Sequence, residues 1–321
     1  MNKELIQKGL QEFREQAEIV STSYGGGKFH WMASMLWCLI RYGSRPIDYV
    51  RFEFHKKSKR ERNRYLTFYR YLRCIKHFGY GLDGVKDKEA EYHTYKEYIR
   101  REWMIVDDST SPAEIEAFVK KNGVVIAKPI KGDMGKGVMK IDDVASDDYK
   151  TLLSERASKT FVIEQLIKNC EAISAINPTS LNTVRATTLI QKDGTPRILS
   201  MILRVGAPGC HVDNWGAGGV GYNFDVETGV CNMYGKDKKN HPYVFHPGSN
   251  FQMIGFKLPQ YEELKKYVLE LTQVYPQARY VGWDVAITPN GYDLVEMNCP
   301  AGHDMFQSFN NPVYDIMLKN W

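Results

Sequence analysis

The sequence has no apolar run near the roughly 20 residues needed to cross a bilayer; its longest, Trp31 to Ile40, has ten. No transmembrane helix is expected. Residues Met1 to Glu18 mix acids and bases and lack both an apolar h-region and a small-residue cleavage site, so no signal peptide is expected either. Six cysteines (Cys38, Cys74, Cys170, Cys210, Cys231, Cys299) stand far apart, without a CxxC pair or a Cys/His cluster at zinc spacing. They read as reduced thiols of a cytoplasmic protein. Repeats at a solenoid period and low-complexity tracts are absent as well.

What is present is bulk. Across 321 residues, 43% apolar and 12% aromatic, the chain can bury one large core or two modest ones, and it is too rich in large side chains to stay disordered. The net charge of +5 is uneven: residues 1–86 hold 17 Lys/Arg against 8 Asp/Glu, and the remaining 26 against 30 leave the rest at −4.

Residues 1–20 and 29–42 have helical spacing of apolar positions, separated by Gly25-Gly-Gly27, which breaks helix or strand. That triplet is not read as a phosphate loop, because no strand precedes it and no Lys-Ser/Thr follows. From Arg51 to Lys76 ten basic and two acidic residues interleave with Phe52, Phe54, Tyr65, Phe68, Tyr69, Leu72 and Ile75. The apolar members are expected to pack inward with the bases in water. The stretch is either a solvated face or a surface drawn to something anionic, such as a membrane, a glycolipid phosphate or nucleic acid; nothing in it matches a nucleic-acid module.

Gly79 to Asp87 is the candidate boundary between a basic, mainly helical region (1–86) and a core (87–321). Helices are expected over Lys88–Trp103, Pro112–Lys121, 146–157 and 260–275. Strands are expected over Val124–Lys128, Phe161–Glu164, Thr183–Ile190, Arg197–Val205, Val281–Ile287 and Tyr292–Asn298. The mixture predicts an α+β core behind a helical front.

Two motifs carry chemistry. The first strand runs through Lys128-Pro129 into Lys131-Gly-Asp-Met-Gly-Lys-Gly137 and on to Val138-Met-Lys-Ile141. Glycines let backbone N–H groups approach phosphate oxygens, and lysines supply charge. The loop is not a Walker A motif, since Val138 stands where lysine is required, and Lys140 replaces the last glycine of GxGxxG. Alone it fits a tight hairpin as well as a phosphate loop. Lys128, ending an otherwise apolar strand, adds weight to an anion.

The second motif is Val281-Gly-Trp-Asp-Val-Ala-Ile287, Thr-Pro-Asn-Gly291, Tyr-Asp-Leu-Val-Glu-Met-Asn298, a hairpin marked by Asn290-Gly291. A three-residue loop, Pro289–Gly291, puts Val281, Trp283, Val285, Ile287, Val295 and Met297 on one core face. The other face then carries Asp284 opposite Glu296, with Asn298 two residues along. Opposed like charges cost up to about 1 kcal/mol, and three converging oxygen-bearing side chains suit Mg²⁺. A solvated polar face without ligand is the alternative.

This constellation resembles the ATP-grasp superfamily over about residues 87–305. More narrowly it is similar to the sugar-transfer-associated ATP-grasp proteins of polysaccharide biosynthesis, through Leu39-Ile-Arg-Tyr-Gly43, Ser180-Leu-Asn-Thr-Val-Arg185, Arg204-Val-Gly206, Asp213-Asn214 with Gly218-Gly219, and Gly282-Trp-Asp-Val285. The resemblance implies two α+β subdomains gripping ATP between antiparallel sheets, with a lid over about 105–165, and ATP and two Mg²⁺ ions as cofactors. Lys88 and Lys128 would contact the α/β-phosphates, and the loop with Lys131, Gly132, Gly135, Lys136 and Gly137 would close over the β/γ end. Glu164 would lie at the adenine hinge, with the backbone of Gln165, Leu166 and Ile167 meeting the adenine edge and Glu171 taking the ribose hydroxyls. Asp284, Glu296 and Asn298 match the metal positions. Arg185, Lys128 and Arg204 would be catalytic. Arg204, Asp213, Asn214, Gly218 and Gly219 would meet substrate. A surface arginine at 185, an exposed loop acid at 171 and structural glycines at 218–219 are the alternatives, and neither His211 nor His303 is expected to be catalytic.

The implied reaction is carboxylate–amine ligation through an acyl phosphate, with small-molecule or glycan-linked acid and amine substrates. A phosphotransferase acting on a sugar hydroxyl would use the same ATP site. A nucleotide-sensing assembly factor would be expected to lack a metal ligand, and none is missing. No nucleic-acid partner is expected, and an anionic membrane or glycolipid surface at the inner face is the partner the basic stretch would meet.

Overall fold

The computed structural model describes residues 3–78, 81–131, 137–210, 213 and 215–321. Helices α1 (Lys3–Tyr24), α2 (Lys28–Tyr42), α3 (Pro46–Arg51), α4 (Lys59–Asn63) and α5 (Phe68–Cys74) form the front of the chain. Gly25 and Gly26 take left-handed backbone (φ 74° and 84°) and separate α1 from α2. Ala17, Val20, Met35, Cys38, Tyr42, Tyr49, Phe52, Phe54 and Tyr65 close into a small core of their own.

The basic stretch departs from expectation in its burial. Phe52, Phe54, Tyr65 and Ile75 are buried, whereas Tyr69 and Leu72 are exposed. Two of its bases, Arg51 and Arg70, are buried: Arg51 pairs with Asp304, and Arg70 donates to Asn63 O and Tyr65 O at 2.8 and 3.0 Å. The stretch is broken into short helices, so no single helical face sorts bases from apolar groups.

Helix α6 (Lys88–Thr94) opens on Asp87, whose carboxylate accepts from Ala90 N–H at 3.0 Å. It stops nine residues short of the expected end at Trp103. Residues 95–102 instead seal a sheet edge described below. Then come β1 (Trp103–Val106), α7 (Pro112–Asn122), β2 (Val125–Pro129), β3 (Met139–Ile141), α8 (Asp147–Glu155) and β4 (Phe161–Gln165). The strands make an antiparallel sheet in the order β1-β4-β2-β3. Its apolar face (Val106, Val125, Ala127, Ile141, Ile163) packs with Ile115 and Val119 of α7 and Leu152 of α8. Residues of the opposite parity, Ile126, Lys128, Val162 and Glu164, share the other face.

The short helix α9 (Glu171–Ser174) leads into β5 (Thr183–Ile190), β6 (Pro196–Val205), β7 (Val220–Phe224), β8 (Gly235–Lys236), β9 (Pro242–Tyr243), α10 (Tyr261–Val274), β10 (Tyr280–Thr288), β11 (Gly291–Asn298) and α11 (Tyr314–Lys319). The large sheet runs β11-β10-β5-β6-β7-β8-β9, with every pairing antiparallel. One face, with Val184, Ala186, Leu203, Val281, Trp283 and Val285, is the main core and is covered by Leu264, Val268 and Leu271 of α10. The other face is divided. Leu189, Leu199, Ile202 and Tyr280 pack under Leu66, Cys74, Phe309 and Met317 from the two ends of the chain. The rest of that face is polar and forms the candidate site.

Trp283 anchors the main core: it is fully buried, its Nε1 donates to Thr188 Oγ1 at 2.8 Å, and its ring lies 5.4 Å from that of Tyr95. Trp283→Ala should lower unfolding free energy by about 3–5 kcal/mol, read from the urea midpoint at unchanged slope.

Candidate active site

The hairpin β10–β11 brings Asp284 opposite Glu296 and Gly282 opposite Asn298, as the expected register requires. Nearer the turn the ladder differs. Thr288 pairs with Gly291 and Val285 with Leu294, so the turn is the two residues Pro289-Asn290, and the register shifts by one between Asp284 and Val285. Val295 is therefore the extra residue of a β-bulge. Tyr292 and Leu294, not Val295, complete the core face with Trp283, Val285, Ile287 and Met297. The bulge is also what puts Glu296 across from Asp284; without it Val295 would stand there.

Asp284 is 1% exposed, and its cross-strand neighbour on β5 is Arg185. Arg185 grips both carboxylate oxygens, through Nε to Oδ1 and through Nη2 to Oδ2 at 2.8 Å. Arg204 on β6 reaches the same Oδ2 at 3.1 Å, and its Nη2 also bonds Thr183 Oγ1 (2.9 Å) and Asp213 Oδ1 (3.2 Å). Burial penalises the Asp284 charge, but the two guanidinium groups overcome this and hold the carboxyl below its ordinary range. Burial raises Asp213 above its usual value, against the pull of Arg204 and with the Asp284 charge adding to the rise. Gly282 makes room: a Cβ there would sit 3.3 Å from Arg185 Cδ and 3.5 Å from Ala301 Cβ.

A second network joins the two sheets along the outer edge of β11. Arg101, fully within the protein, donates Nε to Glu164 of β4 (2.8 Å) and Nη1 to Asp293 of β11 (2.5 Å) and to Leu294 O (2.7 Å). Its Nη2 meets Tyr92 OH at 2.7 Å, and Tyr92 in turn donates to Glu164. Lys128 pairs with the other Glu164 oxygen. Burial works against the Glu164 charge, yet Arg101 foremost and then Lys128 hold its pKa at about 2. Helix α6 supplies Lys88, which pairs with Glu296 at 2.9 Å, and Glu91, which accepts the Met297 N–H at 2.6 Å between Glu296 and Asn298. Burial, with Glu296 beside it, pushes the Glu91 carboxyl up to about 8.

The remaining expected residues fall as follows. Lys131 is exposed beyond β2, and Gly137 has φ 75° with Pro129 Cγ 3.4 Å from where a Cβ would sit. Gly132, Gly135, Lys136, His211 and Asn214 lie outside the described residues, as do Gly79 and Tyr80. Gln165, Leu166 and Ile167 follow the end of β4, but the N–H groups of Gln165 and Leu166 are given to Glu102 O (2.9 Å) and Val124 O (3.2 Å), so the adenine edge would have to use Ile167 N–H and carbonyl groups. Glu171 is exposed at the start of α9. Gly218 has φ 97° and Gly219 is buried ahead of β7. His303 stacks on Tyr71 at 4.7 Å and lies 3.4 Å from Asp48. Sequence reasoning missed Arg101, Tyr92, Asp293 and Glu91, whose long-range partners lie 63 to 206 residues away in the chain.

Among the described residues, no three His, Cys, Asp or Glu side chains converge as a metal cage. Two carboxylates and one carboxamide are nonetheless the hard oxygen donors that Mg²⁺ takes when phosphates supply the rest. Asn298 Nδ2 is buried without a hydrogen-bond partner, an orphan that a bound ligand would satisfy. The residues present therefore fit a metal-bound triphosphate.

The chain belongs to the family described as sugar-transfer associated ATP-grasp, whose model matches residues 98–320. That assignment accounts for the paired antiparallel sheets. No curated protein matches the chain. Solved structures similar to it include a D-alanine–D-alanine ligase from Bacillus anthracis (14% identity, 73% of this chain, 66% of that one, TM-score 0.45). They also include an L-amino acid ligase from Bacillus licheniformis (11%, 74%, 48%, 0.45) and the ATP-grasp ligase PsnB complexed with minimal precursor, Mg and ADP (13%, 72%, 57%, 0.41). The chain thus spans less than two thirds of the length of PsnB.

Two predictions follow from the Arg101 network. Arg101→Met leaves buried Asp293 without its counter-ion and Glu164 with Lys128 alone, and should cost about 3–5 kcal/mol in urea unfolding. Glu164 titrates at about 2 when folded against 4.5 for the free group, so its share of stability is full above about pH 4.5 and is lost as pH falls towards 2. Unfolding free energy should drop across that window, and Glu164→Gln should flatten the drop.

Proposed function

We propose that the chain is an ATP- and Mg²⁺-dependent ligase that joins a carboxylate to an amine through an acyl phosphate, one partner being a sugar or glycan-linked unit in polysaccharide assembly. The observation that carries this is Asp284 facing Glu296 with Asn298 on the same side, in the seam to which the lid face bearing Lys128 is tied through Glu164 and Arg101. Membership of a sugar-transfer associated family supports the substrate class.

A carboxylate in water does not condense with an amine because it has no leaving group. Transfer of the γ-phosphoryl of ATP to it supplies one; the amine then attacks the acyl carbon and phosphate departs. In this reading Asp284, Glu296 and Asn298 would hold Mg²⁺, and an ion held there would neutralise charge on the phosphoryl oxygens. Lys88 and Lys128 have side chains 23% and 20% exposed and are paired with Glu296 and Glu164; phosphate would share these cations with the two acids. Arg185 and Arg204 keep Asp284 ionised and set two guanidinium groups where charge develops during transfer. By the family resemblance, Lys131 and Gly137 would flank the segment that meets the β/γ end, and Asp213 with Gly218 and Gly219 would border the acceptor. The chain's contribution is positioning and electrostatics, with no covalent nucleophile.

The test is a panel of acids and amines, glycan-linked ones included, scored for Mg-ATP-dependent ADP and phosphate release. ADP release that needs both an acid and an amine is expected, and Asp284→Ala/Glu296→Ala should reduce it by more than about a thousandfold. Turnover unaffected in that double variant would remove the site. Phosphate retained on a hydroxyl acceptor would make the enzyme a phosphotransferase instead.

A further inference from the structure

Helix α2 carries no acidic residue from Lys28 to Tyr42. Its inner side, Met35, Cys38 and Tyr42, is buried in the front core. Its outer side leaves large apolar groups in water: Phe29 is 87% exposed, Leu36 50%, Trp37 40% and Ile40 78%. With Ala33 these positions form one stripe at helical spacing.

The stripe continues onto α5. Tyr69 N–H donates to Gly43 O at 3.1 Å, which sets the start of α5 against the end of α2, and Tyr69 and Leu72 are themselves exposed. A shallow pocket lined by Tyr69, Leu72, Arg73, Ile75 and Lys76 closes this end. α5 has no acid either. Exposed bases frame the patch: Arg41 at the end of α2, Lys59 with its ammonium 5.9 Å from the Trp37 ring, and Arg73 and Lys76. Lys28 at the other end is paired with Glu18 of α1.

A stripe of Phe, Leu and Ile with Trp and Tyr at its margins and uncompensated Lys/Arg around it has the layout of a peripheral contact with a lipid headgroup layer. There aliphatic groups enter the acyl boundary, aromatic rings sit at headgroup level and bases meet anionic lipid. Charge complementarity has a direction too: residues 1–86 hold 17 Lys/Arg against 8 Asp/Glu, and the remainder is net acidic. Among the described residues no helix is long and apolar enough to cross a membrane, so the contact is a surface one.

We propose that the outer face of α2, extended by Tyr69 and Leu72 of α5, docks on an anionic phospholipid bilayer. The docking is independent of the ligase reading. It also moves the contact from the basic stretch as a whole to a face where the bases only form the rim.

The test is flotation of the full chain with phosphatidylcholine vesicles with and without phosphatidylglycerol. Binding is expected only with phosphatidylglycerol, weakening as salt rises. Phe29→Ser/Ile40→Ser should weaken it about tenfold or more without moving the thermal midpoint, because both side chains are exposed. Arg73→Glu/Lys76→Glu should weaken it by a similar factor. A wild-type chain that never floats, or a Phe29→Ser/Ile40→Ser chain that floats as well as wild type, overturns the proposal. So does a chain that ignores vesicles but forms a dimer broken by Ile40→Ser, which would assign the face to a second copy.

Discussion

A carboxylate 1% exposed in the penultimate strand of the chain's large sheet can stay ionised only if cations are built in beside it, and the arrangement around Asp284 follows from that constraint. Arg185 comes from the adjacent strand at the directly opposed position, and Arg204 from the strand beyond. Gly282 is small because Arg185 must pass it. Thr183 and Asp213 share the same Arg204 Nη2 that reaches Asp284. Such a cluster contributes little net stability, since desolvation consumes most of the Coulomb attraction. Its effect is to hold an ionised, oriented carboxylate at a fixed place, which suits a metal site better than a core.

Arg101 does for the junction of the two sheets what Arg185 does within one. It bonds Glu164 of the small sheet and Asp293 of the large one from a segment that also closes the free edge of β11, where Leu294 N–H donates to Tyr98 O at 3.1 Å. Glu91 closes the same edge three residues further on, between Glu296 and Asn298 of the proposed metal set. The geometry of Glu296 and Asn298 thus depends on α6 and the residues after it as much as on the hairpin. A metal and triphosphate entering the seam would meet Lys88 and Lys128 already present but engaged with acids.

Much of this architecture was legible in the sequence, because period-2 alternation bounded by Asn-Gly or Gly turns identifies strands locally. β5 matches its expected limits, and Asp284 opposite Glu296 was deducible by requiring Trp283, Val285 and Met297 on one face. The bulge at Val295 was not, because alternation scores Leu294 and Val295 equally. The end of α6 was hidden for a related reason: nothing local in residues 95–102 reveals that Arg101 will be buried between acids 63 and 192 residues away. The basic stretch misled because Arg51 and Arg70 find partners only in the folded chain, while the open apolar face belongs to α2, where the ten-residue apolar run was read only against the length of a membrane span.

The central claim is that the Asp284–Glu296 pair exists to hold magnesium against a triphosphate gripped by the small sheet. A crystal structure of the chain with Mg²⁺ and a non-hydrolysable ATP analogue tests it most directly. The account predicts a metal bound by Asp284 and Glu296, with the triphosphate lying between that metal and Lys128. A triphosphate seated elsewhere, with the Lys88–Glu296 and Lys128–Glu164 pairs intact and no metal on the hairpin, would contradict it.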